Sequence, residues 1–237
     1  MKPTIALCMA GLYRRFRDAG YTTPKYLLPL EGKPILAHVA DDLAEHDGFL
    51  AVANVRDQGF EAAIRACLPD GARVEFIGDT SGQAETADVA ARYIEEQGWG
   101  HRPLLFHNVD TLVRGRDLTS MARWLTAVDG VIDVFASTSP AFSYVDAAPD
   151  GRVSRIVEKV VIGPWATSGL YGFRSASHYR KLAARTTARS GGEFYISDVY
   201  GRLMDDGGHV LALPARAEDT IVLGTPAEYE AKVGVVK

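Results

Sequence analysis

No uninterrupted apolar stretch in this sequence approaches the roughly 18–20 residues that a membrane-spanning helix needs. The first apolar run, Ile5–Met9, is too short for a secretory signal and soon meets arginines. Cytoplasmic residence is therefore the expectation. Cysteine is scarce: Cys8 and Cys67 stand far apart, in no Cys-x-x-Cys or Cys/His grouping. That pattern excludes a disulfide framework and a zinc site, and both thiols are expected to act as small buried hydrophobes. A surplus of positive charge is missing as well. The formal net charge is −4, which disfavours the broad basic face of a nucleic-acid binder. Repeats, low-complexity tracts and linkers are also absent, so the 237 residues, 47% of them hydrophobic, read as one domain with a well-buried core.

What the chain does have is alternation. The β-rich runs Thr4–Met9, Phe49–Val55, Arg73–Ile77, Pro103–His107 and Val131–Ser137 are separated by helical patterns. These lie at Pro34–His46, Gly59–Leu68, Ala84–Gln97 and Leu118–Ala127. Ala87, Ala90, Ala91 and Ile94 recur at spacings that give one apolar helix face, and Pro34 suits a first helical turn. Such order predicts βαβ crossovers and a mainly parallel sheet flanked by helices, a Rossmann-like α/β fold. The second half predicts strands at Phe142–Ala147, Arg152–Lys159 and Thr167–Arg174, with a turn at Pro149-Asp150-Gly151. Helices follow at Ala176–Arg185 and Tyr195–Asp205, then a strand at His209–Pro214 and a helix at Pro226–Val233. Thr225 is placed to cap that last helix, with Glu228 completing a capping box.

The cations Arg14, Arg15, Arg17 and Lys25 crowd the segment after the first strand, beside Gly11. A glycine-bearing loop there lets backbone N–H groups approach an anion. Clustered cations point to a highly charged one, such as a triphosphate; a solvated basic loop is the alternative. Ligands in open α/β sheets bind beyond the carboxyl ends of the strands. Gly82-Gln83 and Asn108-Val109-Asp110 fall at such ends. Asp110 suits magnesium, which takes carboxylate and phosphate oxygens together, although a strand-terminal aspartate can also cap the next segment. Gln83 can read a base edge or simply open a helix. Lys159 can hold a second phosphate while Glu158 accepts from hydroxyls; otherwise the two form an exposed ion pair. The 6 histidines are scattered, none beside a nucleophile, and His107 is expected to face the core or pack beside Asp110. Covalent catalysis is not expected.

Together these residues resemble the sugar-phosphate nucleotidyltransferases, or nucleoside-diphosphate-sugar pyrophosphorylases, of GT-A-like fold. The likeness rests on Gly11-Leu-Tyr-Arg-Arg-Phe16, then Pro24-Lys-Tyr-Leu-Leu-Pro29 and Gly32-Lys-Pro-Ile-Leu36. Further pieces are Asp110, Glu158-Lys159, Trp165–Phe173 and Leu223-Gly-Thr-Pro226. The resemblance implies that Arg15 and Lys25 are the catalytic cations at the triphosphate. Ala10, Gly11, Leu12, Arg14, Gly82, Gln83 and Asn108 then bind the nucleotide, while Glu158, Lys159 and Gly169 bind the acceptor. Residues 1–138 form the nucleotide half and 139–237 the acceptor half. The implied metal is Mg2+ on Asp110. Two departures stand out: Tyr13 replaces the second loop glycine, and Val222 replaces a metal-binding aspartate. Asp219 is the nearer substitute and Asp198 the next.

The implied reaction joins an NTP (CTP, UTP or dTTP) to a phosphorylated small molecule, a sugar 1-phosphate by default, with release of pyrophosphate. Its setting is nucleotide-sugar and capsule polysaccharide biosynthesis. Relatives of this compact build also act with CTP on non-sugar phosphates or phosphonates, and the length leaves no room for the C-terminal β-helix of longer ones. Rival expectations are a GT-A glycosyltransferase, which calls for Asp-x-Asp where Asn108-Val109-Asp110 stands, and a non-catalytic nucleotide sensor, prompted by Tyr13 and Val222.

Overall fold

Strand β1 (Thr4–Met9) is buried on both faces because its side chains alternate between two cores. Ile5, Leu7 and Met9 enter one apolar cluster, and Ala6 enters the other. This two-sided burial is why the strand reads as a continuous hydrophobic run. The computed structural model describes residues 1–188 and 192–234.

After β1 come α1 (Arg14–Asp18), a short hairpin β2 (Pro29–Leu30) and β3 (Lys33–Pro34), and α2 (Ile35–Asp42). Strand β4 (Gly48–Asn54), α3 (Glu61–Ala66), β5 (Arg73–Ile77), α4 (Gln83–Glu96) and β6 (Leu104–Asn108) complete the parallel half. Next are β7 (Thr111–Val113), α5 (Leu118–Trp124) and β8 (Gly130–Ala136). Strands β9 (Tyr144–Ala147), β10 (Val153–Val157) and β11 (Trp165–Phe173) lead to α6 (Ala176–Ala183) and α7 (Ile196–Asp205). The chain continues through β12 (Val210–Ala215), β13 (Thr220–Val222) and α8 (Pro226–Val233). No helix among the described residues is long and apolar enough to cross a membrane.

The main sheet has nine strands, ordered β10-β9-β11-β6-β1-β4-β5, with β8 also pairing β11 and β12 pairing β8. Strands β6, β1, β4 and β5 are parallel, and β11 runs antiparallel to β6. The expected mixed, mainly parallel α/β sheet is what forms. Strand order reverses around β1, between β4 and β6, which opens a crevice beyond their carboxyl ends. Helix α4 lies against one face through Ala84, Ala87, Ala90, Ala91 and Ile94, all fully buried, and the small alanines permit a close approach.

Several boundaries differ for local reasons. Helix α2 starts at Ile35 because Pro34 pairs with Pro29 in the hairpin. The stretch Val55–Phe60 is a 3-10 turn opened by the Asn54 side chain, which accepts from the Arg56 N–H, so α3 is shorter than its apolar pattern. The pairing of β7 with β13 was not foreseen, as each has only three residues. A buried ion pair secures it: Arg116 donates to both Asp133 oxygens, to the Arg114 and Asp219 carbonyls and to Thr220 Oγ1. Burial pushes the Asp133 carboxyl above its ordinary value even against Arg116. A raised carboxyl opposes folding once pH exceeds its unfolded value, so at neutral pH the charge itself is a burden. Removing one partner is worse, because the other stays buried and uncompensated. Asp133→Ala is expected to cost about 3–5 kcal/mol in urea unfolding, whereas Arg116→Met combined with Asp133→Leu should cost much less.

Candidate active site

A cleft of about 710 Å³ opens beyond β1 and β6 and is closed on the far side by the segments around β10, β11 and α7. Its lining includes Ala10, Gly11, Leu12, Arg14, Arg15, Lys25, Gly82, Gln83, Asn108, Asp110, Glu158, Lys159 and Gly169. Residues far apart in sequence thus meet in one place. Arg17 is exposed and does not line the cleft.

Lys25 Nζ lies 2.6 Å from Asp110 Oδ2. Burial alone would raise the Asp110 carboxyl, but the Lys25 ammonium outweighs it and holds the group below its ordinary value. Asp110 occupies a corner between β6 and β7 that the backbone fixes independently of its side chain. The His107 Nε2–H donates to the Thr111 carbonyl at 2.8 Å, and the Leu223 N–H donates to the Asp110 carbonyl at 2.8 Å. Burial lowers the His107 pKa, so the ring is neutral and structural. Arg14 and Arg15 line the same cleft and are exposed, and neither forms an ion pair among the described residues. Cys8 sits in the cleft floor with its thiol pushed up to about 12 by burial, which leaves it unreactive at neutral pH.

Tyr13, where a glycine was expected, keeps a left-handed backbone at φ 34. Its hydroxyl donates to Asp57 Oδ1 at 2.6 Å, so the side chain turns toward the protein and helps line the cleft.

Gln83 opens α4 and its amide donates to Asn108 Oδ1. Gly169, at φ +89, makes that reach possible, since a Cβ there would stand 2.6 Å from Asn108 Nδ2. It lies where the β11–β8 register shifts, between Thr167 and Tyr171. Gly82, at φ +151, receives the Phe194 backbone, whose carbonyl would meet its Cβ at 2.4 Å. The close approach brings Glu193 and Tyr195 to the cleft. Elsewhere in the cleft lining, Glu158 Oε2 accepts from Ser143 and from Ser197 Oγ, the latter at 3.0 Å. Lys159 Nζ donates to Tyr195 OH at 2.5 Å and stands 4.5 Å from the ring centroid.

The substitutes for the missing metal aspartate lie elsewhere. Asp219 accepts from Arg216 Nε at 2.8 Å and lines a separate groove, because the turn after β12 faces away from the cleft. The Asp198 carboxylate accepts from the Tyr195 N–H at the start of α7 and does not line the cleft. Glu228 does line it. A Cβ on Gly224 would be 3.5 Å from Asp110 Oδ2 and 3.6 Å from Glu228 Oε2, so the two carboxylates face the same glycine. Glu228 forms the expected capping box, accepting from the Thr225 N–H at 2.8 Å, and nothing in that pattern discloses its second face. No group of three or more His, Cys, Asp or Glu side chains converges among the described residues. Two carboxylates in a cleft that Arg14, Arg15 and Lys25 also line nonetheless fit a hard cation that takes its remaining oxygens from water and substrate.

No family profile matches the chain. The bifunctional protein GlmU of Leifsonia xyli subsp. xyli is 30% identical over 221 residues, 89% of this chain and 44% of that protein. The chain therefore spans less than half the length of that relative. A crystal structure of the nucleoside-diphosphate-sugar pyrophosphorylase from Vibrio cholerae RC9 superposes with a TM-score of 0.85 at 25% identity, covering 98% of this chain and 100% of that one. A UDP-glucose pyrophosphorylase solved with UDP-glucose shares 14% identity at a TM-score of 0.80, over 99% and 98% of the two chains, and this likeness speaks to fold alone. Sequence and structural relatives of one kind are thus matched along nearly the whole length of this chain, and their likeness supports a sugar-phosphate nucleotidyltransferase family.

Proposed function

We propose that this protein is a nucleotidyltransferase that transfers a nucleoside monophosphate unit from an NTP to a phosphorylated small molecule, a sugar 1-phosphate, with release of pyrophosphate. The observation that carries the reading is the 2.6 Å contact of Lys25 with Asp110 in the cleft that also gathers Arg14, Arg15, Gln83 and Glu158. The reading assigns residues 1–138 to the nucleotide and 139–237 to the acceptor. A cytoplasmic setting and a supply of activated sugar for surface polysaccharides, including capsule, go with it.

The chemistry needs no side-chain base. A phosphate monoester has its second pKa near about 6, so the acceptor is already an anionic nucleophile at neutral pH. Its oxygen attacks the α-phosphorus in line. The bond to the β-phosphate oxygen breaks, and pyrophosphate leaves with that electron pair. The remaining demands are alignment and relief of repulsion between anions. Arg15 and Lys25 supply positive charge at the departing phosphates. Asp110, with Glu228 across Gly224, would hold magnesium, which when bound neutralises phosphate charge and orients the α-phosphate. Gln83, backed by Asn108, faces the base, while Glu158 and Lys159 receive the acceptor.

The test is pyrophosphate release in magnesium buffer across CTP, UTP, dTTP, ATP and GTP, each with a panel of sugar 1-phosphates and non-sugar phosphates. Release that requires one NTP and one acceptor together is the expected result. Release of a nucleoside diphosphate instead would indicate a glycosyltransferase, and no release with any pair would favour a nucleotide sensor.

A further inference from the structure

We infer that Asp57 is a positioning residue that braces the two cationic segments of the cleft against each other through Tyr13 and Tyr26. Asp57 is 1% exposed, in the 3-10 turn after β4. Each of its oxygens receives one phenol: Tyr13 OH donates to Oδ1 at 2.6 Å and Tyr26 OH donates to Oδ2 at 2.8 Å. The neighbouring Arg56 pairs with Asp79 instead. Burial, reinforced by the Asp57 carboxylate, pushes both phenols upward, so both stay protonated donors throughout the neutral range.

The sequence positions of the two tyrosines give this arrangement its consequence. Tyr13 immediately precedes Arg14 and Arg15, and Tyr26 immediately follows Lys25. One buried carboxylate therefore sets the spacing between the arginine rim and the lysine that meets Asp110. Tyr13 also holds a left-handed backbone, φ 34 and ψ 42, which a bulky side chain adopts only when its surroundings impose it. Glycine takes that conformation freely. In this chain the hydroxyl anchor on Asp57 does what a glycine's freedom would otherwise do. A charge-assisted hydrogen bond, stronger than a neutral one, suits that task.

The assignment of a role in turnover rests on reading the cleft as the NTP phosphate site, so the experiment pairs kinetics with a readout free of that reading. Tyr13→Phe removes the anchor but keeps the ring, and Tyr13→Gly removes both anchor and strain. In pyrophosphate-release kinetics, Tyr13→Phe is expected to raise the NTP KM on the order of tenfold without moving the acceptor KM, since slight misplacement of binding groups is costly. Tyr13→Gly is expected to bring the NTP KM most of the way back. A merely structural hydrogen bond predicts no such rescue, and Tyr13→Gly performing no better than Tyr13→Phe overturns the inference. Amide hydrogen exchange supplies the second readout. Tyr13→Phe is expected to speed exchange at residues 25–28 as well as 11–17, and faster exchange confined to 11–17 overturns the brace. If wild-type protein releases no pyrophosphate with any NTP, the functional reading fails while the exchange comparison still decides the brace.

Discussion

An Asp110→Asn variant is expected to fold normally and to lose its response to magnesium. Asparagine keeps the shape of the side chain and removes the charge that a hard cation requires. The corner that carries it survives, since the Thr111 and Asp110 carbonyls keep their donors, His107 and the Leu223 N–H. Turnover should fall by about 10²–10³, the range for losing one preorganised electrostatic group. Calorimetric titration of magnesium in the presence of nucleotide gives a reading independent of turnover. A magnesium midpoint equal to that of the unaltered protein would take Asp110 out of the metal site. Glu228→Gln retains an oxygen to cap α8, so a smaller but clear weakening of the same midpoint is expected. If Glu228→Gln leaves the midpoint alone, Asp110 acts with substrate oxygens only.

Lys25→Ala carries the second large effect. The ammonium approaches Asp110 from a 3-10 turn, Lys25–Leu27, that begins after Pro24. Its role in the proposed reaction is to meet the negative charge that builds on the leaving pyrophosphate. Loss of such a cation removes about 3–4 kcal/mol of transition-state stabilisation, or about 10²–10³ in turnover. The same change removes the main opponent of burial at Asp110, whose carboxyl should then rise from its lowered value, a shift visible by carbon-13 NMR of the carboxyl group. Thermal melting checks that the fold persists. Turnover within a few-fold of wild type would exclude Lys25 from the reaction, whatever its contact with Asp110.

The legible parts of this chain share a physical cause. Strand β1 and helix α8 declare themselves because their determinants lie within a few neighbouring residues. For β1 that is an apolar run buried on both faces, and for α8 a threonine cap with a glutamate three positions on. The basic loop after β1, proposed to meet the phosphates, stood out for a similar reason, with glycine and cations adjacent in sequence. The proposed metal site was legible only in part. Asp110 follows closely on an apolar strand, which marks it, but Glu228 looks like a capping residue and nothing more. Asp219, chosen for its proximity in sequence to Val222, turned out to serve Arg216 on another surface. Asp57 gave no signal at all. Its partners lie 44 and 31 positions away, and neither tyrosine pattern predicts a shared acceptor.

The sequence by itself determined the alternation of strands and helices, the burial of β1, the basic turn that follows it and the cap on α8. Each depends on short-range chemistry that periodicity and residue type express directly. Tertiary structure alone decided which carboxylates face one another, that Tyr13 holds a glycine-like backbone, and that Tyr13 and Tyr26, each next to a group of cations, share one buried acceptor. Those outcomes depend on strand order and on the approach of distant segments, which no local pattern encodes.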